Sequence, residues 1–259
     1  MPLVDGPVGA LDCYLTGSGE PVTVFAHGFA SSIDETRPFG SGVRGRRVFF
    51  HFRGHGASPV ADAPWTYADL EAELACVRDR YGASRGVGVS LGAGALLRAA
   101  VHRPGAFDRL VLVLPASIDE PRSGRAVERV EAMAQRADSG DVDGLTKLLL
   151  AEQTDSVRST RGVQLWARNQ AQRMSSDALR AAVRQIPMLY PLQDRSVLAD
   201  VVCPVLVIGQ EGDEAHPSQV VHELAKALPH AQAEIFEPGG VLWTHRRTLR
   251  HLITTFLNT

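Results

Sequence analysis

"GVGVSLGAGA", residues 86–95, decides how this chain folds. An apolar, valine-rich run leads into Ser90, and a helical pattern of small and apolar residues follows, so a strand turns sharply into a helix at the serine. Gly88 and Gly92 flank Ser90 in the pattern Gly-x-Ser-x-Gly. Such a turn holds its central residue in a strained backbone conformation, and small residues two before and two after let neighbouring backbone pass closely. The hydroxyl is then exposed at the sheet edge. The helix beneath it offers partial positive charge and the free Leu91 N–H to a developing oxyanion.

Outward from this elbow, short apolar, β-branched runs alternate with helical patterns, the signature of a mostly parallel sheet with helices on both faces. Strands are expected at 10–15, 22–26, 47–51, 85–89, 110–114, 204–209 and 233–236. Helices are expected at 67–80, where Leu70, Leu74 and Val77 share a face, and at 90–102, 217–228 and 243–257. From about residue 116 to 199 the alternation stops and only helical periodicity remains. That stretch is too long for a loop and reads as an inserted helical element. Within it, residues 125–150 read as helix, turn, helix, and residues 162–192 as two more helices ending at Pro187 and Pro191. The division is thus a core of 1–115 and 200–259 with a helical lid at 116–199, placed over the carboxyl edge of the sheet where open α/β sheets bind ligands.

Two further turns carry chemistry. In "VTVFAHGFASS" (residues 22–32) a buried strand ends at His27-Gly28-Phe29, and the Phe29 N–H can complete an oxyanion hole with that of Leu91. His27 reads as a loop hydrogen-bonder. "FFHFRGHGAS" (residues 49–58) is another strand followed by a glycine-punctuated turn. With these three motifs in this order, the chain resembles the α/β-hydrolase superfamily, in particular its lid-bearing serine esterase, lactonase and C–C hydrolase branch. The resemblance runs from about residue 10 to 257, the lid excepted. It implies a mostly parallel sheet of about eight strands, a cap inserted after the sixth, and a Ser-His-Asp mechanism without cofactor or metal. It also places the orienting acid at Asp213, because "CPVLVIGQEGDEAHP" (residues 203–217) looks like the family's apolar strand followed by Gly-x-x-x-Asp-x-x-x-Pro. A loop-capping role for Asp213 is the alternative.

The family's base histidine follows the last strand, directly behind small residues such as Gly-Gly. In "FEPGGVLWTHRR" that slot holds Gly240 or Val241. His245, four residues on and at the first turn of the last helix, is the choice for the base; a core histidine bonded to a loop carbonyl is the competing reading. His51, His55 and His216 lie on the same edge and, with His27, are candidates to line the pocket. Trp166 and Tyr190, with the run Ile186-Pro187-Met188-Leu189, are candidates for its ceiling.

Composition bounds the rest. The chain has 259 residues, 27 Lys and Arg against 29 Asp and Glu, and a formal net charge of -2 with both signs mixed along it. This provides no footprint for nucleic acid or an anionic membrane and favours neutral partners; a small-molecule substrate is expected, and a homodimer is possible. Cys13, Cys76 and Cys203 are too far apart to read as a redox pair or metal site and suit reduced thiols. The start of the chain shows no basic segment before an apolar run, and no stretch reaches the roughly 18 apolar residues of a membrane span, so a soluble cytoplasmic protein is expected. The arginine- and alanine-rich, lysine-poor usage suggests a GC-rich bacterial source. The expected reaction is hydrolysis of an ester, lactone or thioester of a small to medium, largely apolar substrate through an acyl-enzyme on Ser90. The vacated histidine slot keeps a non-hydrolytic lyase or cyclase, or a ligand-binding protein, as the alternative.

Overall fold

The computed structural model describes residues 2–60 and 64–259. Eight strands form one sheet in the order β1-β2-β4-β3-β5-β6-β7-β8. They are β1 (Leu3–Gly6), β2 (Gly9–Thr16), β3 (Val22–Ala26), β4 (Arg46–Phe50), β5 (Arg85–Val89), β6 (Arg109–Val113), β7 (Val205–Gln210) and β8 (Ala231–Phe236). β2 runs antiparallel to β1 and β4, and every other pairing is parallel. The parallel centre explains the sequence pattern: all five residues of β3 and all six of β7 are buried, as expected for strands covered on both faces. β1 had no signal in the sequence. It is four residues long with only Val4 buried, and it exists as half of a hairpin with β2.

The helices are α1 (Ile33–Thr36), α2 (Tyr67–Tyr81), α3 (Leu91–His102), α4 (Arg125–Asp138), α5 (Val142–Ala151), α6 (Asp155–Arg158), α7 (Arg161–Met174), α8 (Arg180–Gln185), α9 (Ser218–Ala227) and α10 (Arg246–Asn258). Thr66 and Asp69 start α2 with a reciprocal capping box, and Gly82 ends it in the left-handed conformation. Two apolar cores flank the sheet. One joins Leu70, Leu74, Leu96, Leu97 and Leu224; the other joins Ile33, Leu249, Ile253, Phe256 and Leu257. Five helices, α4 to α8, separate β6 from β7, where the sequence has helical periodicity and no strand. The last helix starts later than residue 243 because Gly240–Thr244 forms a π-helical turn of its own. Among the described residues no helix is long and apolar enough to cross a membrane.

One buried ion pair fixes the turn after β4. Glu73 of α2 is fully buried, accepts the Arg53 backbone N–H at 3.0 Å and pairs with the Arg53 Nε at 2.5 Å. Burial pushes the Glu73 carboxyl up against the pull of Arg53. Removing Glu73 leaves the buried Arg53 guanidinium with only the partly exposed Asp69 carboxylate, 3.4 Å from Nη2. Glu73→Ala is therefore expected to lower unfolding free energy by about 3–5 kcal/mol, measured by urea denaturation; an unchanged midpoint would contradict this account of the turn.

Candidate active site

The site is built at the carboxyl edge of the sheet from three successive turns. At the first, β5 passes into α3 through Ser90, whose φ of 50° and ψ of -107° no unstrained serine adopts. Gly88 and Gly92 are required there. A Cβ on Gly88 would lie 2.6 Å from the Ala93 nitrogen, and one on Gly92 would lie 2.6 Å from the Ala26 carbonyl carbon. The Ser90 N–H is held by Val113 O at 2.9 Å, which ties the elbow to β6. Ala30, Ser90 and Leu114 are the described non-glycine residues with positive φ, and they follow β3, β5 and β6 at this same edge. Backbone strain is thus concentrated where the cavity opens.

The second turn, after β3, carries Gly28 and Phe29. It is stapled to the turn after β4 by three histidines. His27 donates from Nδ1 to Gly28 O at 2.7 Å and accepts the Phe52 N–H on Nε2 at 3.1 Å. His55 donates from Nδ1 to Arg53 O and accepts the Ala30 N–H on Nε2, both at 2.9 Å. His51 donates to Asp12 Oδ2 at 2.9 Å and accepts the Ile33 N–H at 3.0 Å. From the other side, α7 contributes Arg173, whose Nε donates to Ala30 O at 2.5 Å, and Gln170, whose amide donates to Phe29 O at 3.4 Å. The helical insertion and the core together fix the Phe29–Ala30 peptide.

The third turn follows β7. Gly212 takes a φ of 73°, and Asp213 Oδ1 then accepts the N–H groups of Ala215 and His216 at 2.9 and 3.0 Å. These bonds curl the loop back on itself, so that the His216 Nδ1–H donates to Asp213 Oδ2 at 3.1 Å. The other ring nitrogen, His216 Nε2, accepts the Ser90 hydroxyl at 2.9 Å. Burial pushes the Asp213 carboxyl up, but the His216 charge and the hydrogen bonds from His216 and Ala215 prevail and hold it below the ordinary carboxylate range. A hydroxyl bonded to an imidazole that is itself oriented by a carboxylate can lose its proton to that imidazole.

The structure therefore brings together Ser90, Asp213 and His216, and it does not bring His245 to the serine. The His245 ring stacks on Phe236 with centroids 5.0 Å apart and folds back over Gly239. The π-helical turn is what carries it away: Val241, Leu242 and Trp243 enter the cavity wall in its place. Gln210 supports that turn by accepting the Val241 N–H at 2.5 Å. A cavity of about 240 Å³ lies over Ser90, with Phe29, Leu91, Asp213 and His216 in its wall. Trp166 also lines it and meets Trp243 edge to face at 5.7 Å. His27, His51, His55 and Tyr190 do not line it; the three histidines spend both ring nitrogens on loop contacts instead. Of the run 186–189, Ile186, Pro187 and Leu189 reach the cavity. Among the described residues no group of three or more His, Cys, Asp or Glu is placed to hold a metal ion.

The sequence matches a model of the alpha/beta hydrolase family over residues 23–250, and the chain belongs to that family. It is an enzyme of the hydrolase fold. No curated protein matches it. Among solved structures it is similar to an esterase from Exiguobacterium antarcticum, with a TM-score of 0.81, 17% identity and 99% of both chains covered. It is also similar to the enol-lactonase from Burkholderia xenovorans LB400, with a TM-score of 0.80, 18% identity and 100% of both chains covered. A carboxylesterase from Bacillus subtilis gives a TM-score of 0.78 at 18% identity, covering 98% of this chain and 90% of that one. At these identities the likeness is one of fold.

The buried histidines make stability acid-sensitive. Burial lowers His55 from 6.5 to about 4, and it holds His27 well below its ordinary value. Below pH 6.5 the unfolded chain takes up protons that these folded sites refuse, so their stabilisation is complete above 6.5 and is lost as pH falls. For His55 the loss amounts to about 3 kcal/mol by about pH 4. Urea unfolding between pH 7.5 and 4.5 is expected to show this decline, and His55→Gln to flatten it; equal slopes in the two proteins would contradict the assignment.

Proposed function

We propose that this enzyme hydrolyses a carboxylic ester, lactone or thioester through an acyl-enzyme on Ser90, with His216 as the base and Asp213 as its orienting acid. The observation that carries the reading is the 2.9 Å hydrogen bond between Ser90 Oγ and His216 Nε2. Ser90 Oγ attacks the substrate carbonyl while His216 Nε2 takes its proton, and Asp213 stabilises the imidazolium. The Phe29 and Leu91 N–H groups receive the oxyanion, which the N-terminus of α3 also favours. His216 then passes the proton to the leaving oxygen or sulfur. Water attacks the acyl-enzyme, giving one proton to His216, which returns it to Ser90 as the acid departs.

The apolar wall from Leu91, Val241, Leu242, Trp166 and Ile186 suits a largely apolar acyl chain of small to medium size. Helices α4 to α8 act as the lid in this reading, and Arg173 and Gln170 couple it to the oxyanion turn. A soluble enzyme in a reducing cytoplasm is in keeping with three free cysteines, two of them buried. The empty family slot at Val241 motivated a non-hydrolytic alternative. With a base already within 2.9 Å of Ser90 Oγ, that motive falls away.

Steady-state hydrolysis of p-nitrophenyl esters tests the reading. Ser90→Ala and His216→Ala are expected to lower kcat by about 10^4- to 10^6-fold, with Asp213→Asn at about 10^4-fold. His245→Ala should stay within about threefold of the parent. A His216→Ala protein that keeps its rate, or a His245→Ala protein that loses it, would overturn the assignment.

A further inference from the structure

Six acidic or basic side chains line the cavity over Ser90, namely Glu35, Arg122, Arg129, Glu152, Asp213 and His216. Five of them are paired. Arg129 binds Glu152 through two nitrogens, Glu35 binds Arg173, and Asp213 binds His216. Arg122 alone of the six forms no ion pair among the described residues. It lies between β6 and α4, and its one side-chain hydrogen bond among the described residues runs from Nη1 to Pro187 O at 2.7 Å. Its Nε is buried with no acceptor. That bond anchors one corner of the guanidinium and leaves the Nε–Nη2 edge, the side-on edge that matches the two oxygens of a carboxylate, without an acceptor among the described residues.

The surroundings sharpen the point. Burial lowers the Arg122 guanidinium from its ordinary value, the mark of a cation held away from water. Tyr67, Asp213 and Glu152 favour its charge and Arg129 opposes it, but none of the four is bonded to it. A desolvated guanidinium without an anion is costly, and its fixed planar fork is suited to completion by a ligand. The wall of the same cavity, with Tyr67, Val130, Met133 and Ile186, is mainly apolar and accommodates methylene groups.

We propose that the substrate is a carboxylate-bearing acyl compound, an ester or lactone whose acid part ends in a second carboxylate bound by Arg122. The ester-cleavage arm of this inference rests on the Ser90 mechanism above; the binding arm does not. Neutral esters would then be poor mimics of the substrate. Arg122 is a specificity-determining residue, and its contribution appears in the discrimination between charged and neutral acyl chains.

The test uses p-nitrophenyl hemi-esters of the straight-chain dicarboxylic acids from succinate to suberate, each against the neutral monocarboxylate ester of equal chain length. In parallel, calorimetry measures binding of the free dicarboxylates. The parent enzyme is expected to favour the charged ester at one chain length, and to bind the corresponding dicarboxylate. Arg122→Met should lower the charged-to-neutral ratio of kcat/KM by about ten- to a hundredfold, chiefly through KM, and weaken dicarboxylate binding at least about tenfold. Arg122→Lys, which keeps the charge but not the fork, should restore only part of the ratio. Thermal unfolding of each variant reports whether it is folded. A ratio unchanged by both substitutions, or a parent protein that binds none of the dicarboxylates, would overturn the inference. A parent that binds a dicarboxylate through Arg122 yet cleaves no ester would instead overturn the hydrolytic reading and leave this one standing.

Discussion

The site depends on one short turn, in which a carboxylate organises its own partner. Asp213 accepts two backbone N–H groups on one oxygen and the His216 imidazole on the other, so a single loop after β7 holds both groups in register. Each of those bonds favours the ionised carboxylate, and the ionised carboxylate fixes the imidazole tautomer that presents Nε2 to Ser90. An acid and a base three residues apart carry little positional error between them. The remaining tolerance lies in how β7 sits relative to β5, and the hydrogen-bonded ladders through β6 set that distance.

With His216 bonded to Ser90 from this loop, the turn after β8 takes another part in the site. Val241 is buried and, with Leu242 and Trp243, forms cavity wall where the family pattern has a histidine. The Gln210 bond to the Val241 N–H links the end of β7 to that wall, so the loop after β7 and the cavity wall share a support. On the opposite side, the turn after β3 is fixed from below by His27, His51 and His55 and from above by Arg173 and Gln170. Pre-organised donors of this kind need little rearrangement as charge develops.

Much of this was legible in the sequence where the code is local and steric. Gly88, Ser90 and Gly92 mark an elbow because a Cβ at either glycine would strike backbone. The alternation of buried strands and helices revealed the layers, and the helical periodicity after residue 115 revealed α4, α5, α7 and α8 but not the four-residue α6. β1 was not legible, since four residues with one buried side chain have no periodicity to detect. His216 was visible as an edge residue three past Asp213, but its contact with Ser90 was not, because the family pattern points to the slot after the last strand. The signal that points to it is the Asp-x-x-His-Pro turn itself, in which the side chain of the first residue can cap the amides of the third and fourth. His245 drew the search by its position at a helix start, whereas the π-helical turn before it, which the sequence does not announce, rotates it onto Phe236. Arg122 was equally silent, because its lack of an ion pair among the described residues depends on how helices α4 to α8 pack over the sheet.

The central claim is that Ser90 is activated by a base from its acid's own loop, and the rate of covalent capture of Ser90 measures this directly. With a fluorophosphonate probe and peptide mapping, the parent protein should be labelled at Ser90. His216→Ala should slow that labelling by about a hundredfold or more, while His245→Ala leaves it unchanged. Labelling of Ser90 at the parental rate in His216→Ala, or its loss in His245→Ala, would contradict the account.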